Sequence, residues 1–333
     1  MALGDNNPPK DDDPSPSLTI FNLPKELVEP AVKACRLFNT AVDAIFYDVP
    51  GLRAELGALD EELKAKGGAK LPSRIIDFNA ISDPEGSLLL IDATTAPYVH
   101  RYKDVQAYLD SPYPETRAVT VATITGVGSS ALGSAALAWN VSTALKQPVL
   151  AIVPGYGVAD MVLQGLGGWF GFGLFDYLQA KSITQNTLAN VAPDTAKIGR
   201  KLSASVPDAK TLHGAPVYRR GSGSSDVLHA LMQELPGQFK ILVGHSKGAL
   251  QIGNALYSLP DGRTDGLHVV TLGCPIAQDA PGASYYQYLG LYDALGQLNM
   301  WGHWPDQWVH SWHTTNPWLP PAMAAGELTQ NAA

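Results

Sequence analysis

Residues Gly244-His245-Ser246-Lys247-Gly248 form a G-x-S-x-G pattern. The run Phe239-Lys240-Ile241-Leu242-Val243 leads directly into it. Behind it, Ala249, Ile252, Gly253 and Leu256 recur at i, i+3, i+4 and i+7, one face of a packed helix. A strand, a sharp turn and a helix lift a serine hydroxyl above the carboxyl end of a sheet. The glycines suit a turn where strand and helix pass too closely for a Cβ. Ser246 is therefore the candidate nucleophile, Lys247 supplies a backbone N–H to an oxyanion, and its side chain is expected at the rim. His245 is expected to be structural.

A serine hydroxyl needs a base, and the base needs an orienting acid. On a strand-turn-helix scaffold they follow in the order Ser, Asp or Glu, His. Asp293 closes the apolar run Tyr285 to Tyr292, and His303, His310 and His313 come after it. Asp279, behind Gly273-Cys274-Pro275, is the rival acid, and His310 is the rival base. His303 reads as a packing residue and Asp306 as a solvated loop residue. A second oxyanion donor is expected from the loop 126–130, at Val127 or Gly128.

These groups need elements to carry them. The pattern predicts helices over 25–47, 51–66, 131–145, 225–235 and 248–259. It predicts strands over 88–91, 98–105, 119–125, 149–153, 239–243, 268–272 and 285–292. Alternating strands and helices from about residue 87 onward imply an α/β fold with a mostly parallel central sheet flanked by helices. Strands apolar on both faces fit such a sheet. The expected organisation is a disordered tail 1–17, a helical region 18–86 packed on the core, an α/β domain 87–325 and a flexible tail 326–333. The stretch 155–224 is longer than a plain connection needs and reads as a lid or cap. Within it Trp169, Phe170 and Phe172, with Leu174 and Phe175, are candidates to line an acyl pocket.

The segments GHSKGAL, HVVTLGCP, LGLYDALGQL and HTTNPWL together resemble the α/β-hydrolase superfamily, most closely its lipase class 3-like serine esterases and lipases. The likeness is good over 239–320, architectural over 87–155 and absent over 1–80. It implies an α/β-hydrolase fold with Ser246 as nucleophile, Asp293 as acid and His313 as base. It implies cleavage of carboxylic esters through an acyl-enzyme; a thioesterase, another acyl hydrolase or acyltransferase, and a non-catalytic lipid-binding protein are the alternatives. Lys247, Ala249 and Trp318 depart from that pattern, at positions where Leu, Gly and Tyr are usual.

Other chemistries fit less well. Gly126-x-Gly128-x-x-Ala131 mimics a dinucleotide fingerprint, but no Asp or Glu lies between Arg117 and Asp160 to hold a ribose. His303, Asp306, His310 and His313 match no zinc spacing. No cofactor and no metal are expected. The 333 residues carry a net charge of −8 with no basic block, which argues against nucleic acid. Residues 118–145 are uncharged but hold three Gly, several Ser and Thr, and Asn140, a poor membrane span. The N-terminus lacks the basic and apolar regions of a signal peptide, and Cys35 and Cys274 read as buried reduced thiols. A cytoplasmic location is expected, with leaderless export still open. The expected partner is a small-molecule or lipid ester; a homodimer through 18–86 stays open. Five of the seven Trp and three of the eight His lie between Trp301 and Trp318. That cluster reads as the loop delivering the base, with Trp308, Trp312 and Trp318 packing around it.

Overall fold

A computed structural model describes residues 41–65, 87–94, 98–112, 115–126, 129–154, 209–210, 216–217, 223–256, 259–260, 262–276, 278, 280–300 and 303–333. The expected pocket residues Trp169, Phe170 and Phe172, the oxyanion candidates Val127 and Gly128, and Asp279 and Cys35 lie outside this set.

Residues 41–46 are helical and lead into α1 (Val49–Ala65). Asp48 starts α1, its carboxylate accepting the Gly51 N–H at 2.9 Å. Then come β1 (Leu88–Asp92), β2 (Tyr98–Tyr102), α2 (Val105–Leu109), α3 (Glu115–Ala118), β3 (Val121–Ile124), α4 (Ala131–Leu145) and β4 (Val149–Ile152). Two short strands follow, β5 (Ala209–Lys210) and β6 (Pro216–Val217). The chain continues through α5 (Gly223–Glu234), β7 (Ile241–His245), α6 (Lys247–Leu256), β8 (His268–Leu272), β9 (Ser284–Gly290), α7 (Ala294–Asn299), β10 (Gln307–Val309) and α8 (Ala325–Gln330).

Eight strands form one sheet in the order β10-β9-β8-β7-β3-β4-β1-β2. The pairs from β10 through to β4 are all parallel, while β1 is antiparallel to both β4 and β2. The sheet is apolar on both faces because its strands alternate apolar side chains between two cores. Leu89, Ile91, Val121, Val149, Ala151, Val243 and Val270 face one cluster with α1, α4 and Met323. Leu88, Leu90, Ala122, Ile124, Leu150, Ile152 and Leu242 face the other with α2, α5 and α6. The α/β class and the mostly parallel sheet therefore follow the pattern of the sequence.

Helix α4 is buried almost all round, which its Ala, Gly and Ser content permits. It lies between the sheet, α1 and α8. Residues 326–333, expected as a flexible tail, instead include most of α8, which packs on α4. Ala332 is 2% exposed, and its carbonyl oxygen accepts from His268 Nδ1. The apolar Ala325 and Ala332, with the buried Thr329, give that end a face to bury.

The strand expected to end at Asp293 ends at Gly290. Asp293 is instead the N-cap of α7, its Oδ1 accepting the Gly296 N–H at 2.6 Å. The Trp- and His-rich stretch is also more than a loop, because β10 adds a parallel strand to the sheet edge.

The candidate nucleophile and its acid-base pair

The chain passes from β3 to one neighbouring strand, β4, and later returns on the other side as β7. The carboxyl ends of β3 and β7 thus flank a topological switch point, where open α/β sheets form their crevice. Ser246 follows β7 and Gly126 follows β3. A Cβ placed on Gly126 would stand 3.6 Å from Ser246 Oγ.

Ser246 has φ +53°, the left-handed region that non-glycine residues seldom adopt. The surroundings enforce it. The Ser246 N–H donates to the Leu272 carbonyl at the end of β8, at 2.8 Å. A Cβ on Gly244 would fall 2.5 Å from Ala249 Cα, and one on Gly248 would fall 2.1 Å from the Ile124 carbonyl oxygen. Both glycines of the pattern are therefore required by backbone that passes within contact distance. Lys247 opens α6, so its N–H belongs to the outward-pointing donors of a helix start. The residue, whose side chain is expected at the rim, is only 7% exposed.

Asp293 and His313 are joined. His313 Nδ1 lies 2.7 Å from Asp293 Oδ2, and Asp293 is 1% exposed. The elements that hold them are knitted edge to edge. The Leu291 N–H donates to the Val309 carbonyl at 2.8 Å and the Tyr292 N–H to that of Ser311 at 3.1 Å. The turn that carries Asp293 is thereby fixed to the segment that carries His313. Gly273, with φ +71°, lies beneath both; a Cβ there would come within 2.9 Å of His313 Nδ1. Because Nδ1–H faces the carboxylate, Nε2 carries the lone pair available to accept a proton.

The other candidates go elsewhere. His310 Nε2 is 2.5 Å from the Tyr292 hydroxyl on the surface. Asp306 is exposed, and its carboxylate accepts the Gln287 N–H at 2.8 Å. His303 is exposed too. These side chains do not converge with His313 on one point. Cys274 is buried, and burial pushes its thiol up to about 12, far from a thiolate at neutral pH.

Three aromatic residues expected to pack the loop around His313 or His310 stand largely at the surface. Trp308, Trp312 and Trp318 are 38%, 50% and 68% exposed. The chain alternates through Ser311, Trp312 and His313, so Ser311 and His313 point in and Trp312 points out. The Trp318 ring N–H reaches Asp48 at 2.9 Å.

The His245 ring lies 5.0 Å from that of His313 between centroids, and further packing comes from the N-terminal side, which the sequence assigned only to packing on the core and an open homodimer. The Phe46 ring meets the His313 ring edge-on at 5.8 Å between centroids. The carbonyls of Ala44, Ile45 and Phe46 accept from Asn316 Nδ2, Thr314 Oγ1 and Thr315 Oγ1 at 2.6, 2.6 and 2.8 Å. Asp43 is 1% exposed, and its Oδ2 accepts from the Ser130 N–H at 2.8 Å and the Ser130 hydroxyl at 2.6 Å. Burial raises the Asp43 carboxyl to about 6 against those hydrogen bonds. The one local signal for this segment is the aromatic doublet Phe46-Tyr47 just before the Asp48 cap. Nothing in that doublet points to a partner some 270 residues away.

No protein-family model and no curated protein sequence matches the chain. Among the described residues no helix is long and apolar enough to cross a membrane.

Proposed function

We propose that the protein is a serine hydrolase of the α/β-hydrolase type that cleaves carboxylic esters through an acyl-enzyme. The observation that carries this reading is the left-handed Ser246 at the switch point, its N–H bonded to Leu272, the residue before the Gly273 that underlies the Asp293–His313 pair. Strain at a non-glycine residue persists only where the surroundings over-determine it, and such residues cluster at functional sites.

Ser246 Oγ attacks the ester carbonyl carbon as His313 Nε2 takes its proton. Asp293 keeps the imidazole in the Nδ1–H tautomer and stabilises the imidazolium that forms. The Lys247 N–H and the loop after β3 bear the charge on the tetrahedral oxygen. The same proton passes to the departing alcohol, leaving Ser246 acylated. Water, deprotonated by His313, then releases the acid and restores the hydroxyl.

The surroundings suit a neutral, partly apolar substrate. Leu291, Tyr292, Leu295 and Trp312 flank the acid and base and are exposed. Neither Lys nor Arg occurs after Arg263, so the loops bearing Asp293 and His313 offer no cation to an anionic group.

Hydrolysis of a short-chain p-nitrophenyl ester tests the reading. Wild type is expected to turn over, and Ser246→Ala to fall by about 10³-fold or more. Equal rates in the two proteins would remove the basis for the proposal.

A further inference from the structure

His245 precedes the candidate nucleophile and is 1% exposed. Its Nε2 stands 2.8 Å from the backbone carbonyl oxygen of His313, and its Nδ1 stands 2.9 Å from the Tyr47 hydroxyl. A carbonyl only accepts, so Nε2 carries the hydrogen. Burial, followed by the nearby His313, lowers the His245 pKa to about 3, which keeps the ring neutral. In a neutral ring Nδ1 then accepts, and the Tyr47 O–H must donate to it. The Tyr47 oxygen in turn accepts the Gly126 N–H at 2.7 Å. Tyr47 is 2% exposed, and its ring meets the His245 ring edge-on at 5.3 Å. One directed chain of hydrogen bonds therefore runs from the end of β3, through Tyr47 and His245, to the backbone of His313. It joins the loop after β3, the turn bearing Ser246 and the segment bearing the base.

We infer that Tyr47 is a positioning residue of the ester-cleaving site: its hydroxyl holds the His245 ring that carries the His313 backbone, and it occupies the Gly126 N–H, which is then not offered to the oxyanion. This rests on the serine-hydrolase reading. Without the Tyr47 hydroxyl, the buried His245 Nδ1 loses its donor and the Gly126 N–H its acceptor, and the ring is free to tilt from the His313 carbonyl. The base shifts relative to Ser246, while the surfaces that bind substrate stay as they were. The cost falls on kcat rather than on KM.

Two measurements test it. The first needs no variant: ¹⁵N spectra of histidine-labelled wild type should show His245 protonated at Nε2 and bare at Nδ1 at neutral pH. Protonation at Nδ1 would overturn the proposal. The second is Tyr47→Phe, expected to lower kcat about tenfold, the scale of one hydrogen bond, with KM nearly unchanged. Its His245 Nδ1 signal should move to that of an unbonded ring nitrogen, with Nε2 still protonated. His245→Gln breaks the chain at its other member and should show the same split between kcat and KM. Wild-type kcat in both variants, or a loss confined to KM, would overturn the proposal. Full activity in Ser246→Ala would instead sink the underlying reading, so the two failures are told apart.

Discussion

Asparagine at position 293 keeps the shape of the carboxyl group but puts an N–H donor or a weaker acceptor against His313 Nδ1. Asp293→Asn is therefore expected to cost about 10³- to 10⁴-fold in kcat, with the wrong tautomer as cause. Steady-state kinetics on an activated ester would show it; a loss below tenfold would assign the acid elsewhere. His313→Ala should be equally damaging, whereas His310→Ala should keep most of the activity. His310 is turned to the Tyr292 hydroxyl, away from Asp293. Chain order and local context left Asp293 with Asp279 as its rival and His313 with His310 as its rival, and spacing could not choose between the histidines. His313, not His310, meets Asp293, following the in-out alternation around Trp312, where the Tyr292 N–H to Ser311 carbonyl bond continues the edge pairing beyond β10. Chain order alone does not reveal that pairing. The same alternation put Trp312 outside, although an aromatic side chain beside a base reads in sequence as packing.

At the scale of elements, the turn between β7 and α6 was legible because its steric demands are local. The Gly248 Cα lies under the Ile124 carbonyl, and no side chain fits there. Gly248→Ala should destabilise the fold by about 1–3 kcal/mol or more, the usual cost of forced overpacking. Urea unfolding would measure it, and an unchanged midpoint would contradict the crossing geometry. The N-cap of α4 is local, Ser130 Oγ accepting the Leu132 N–H at 3.1 Å; the carboxylate that holds Ser130 was not legible, because it comes from position 43, far back in the chain. Asp43 is tied to Ser130 at the start of α4, and its carboxyl is raised from 3.8 to about 6. Between those values the folded state holds a proton that the unfolded state has lost. Stability must therefore fall as pH rises across that window. A shift of about two units corresponds to about 3 kcal/mol. Asp43→Asn should abolish this part of the slope, read as the difference between wild-type and variant unfolding energies from pH 4 to 7. Parallel curves for the two proteins would contradict the burial of Asp43.

For the whole molecule, alternating apolar strands were enough to predict a two-faced parallel sheet, since period and composition are carried by every strand. Strand order was not, because β10 has three residues and little pattern, and the return of β7 beside β3 is a long-range choice. That return creates the switch point at which Ser246 sits. The N-terminal segment matters there because residues 43–47 tie the residues after β3 to the segment bearing His313. Helix α1 anchors that bridge through Val49, Leu52 and Leu56, all buried in one core. Leu56→Ala should cost about 2–5 kcal/mol by cavity formation, seen as a lower unfolding midpoint, while kcat of the folded protein is retained. A fall in kcat without a loss of stability would mean that α1 acts on the site directly.

The central claim is that Ser246 is an activated nucleophile. A fluorophosphonate probe followed by peptide mass spectrometry reads nucleophile and activation together. The account predicts one covalent adduct, on Ser246, in the folded wild type, strongly slowed in Asp293→Asn and His313→Ala and missing in Ser246→Ala. No adduct on the folded wild type, or an adduct on a different residue, would contradict it.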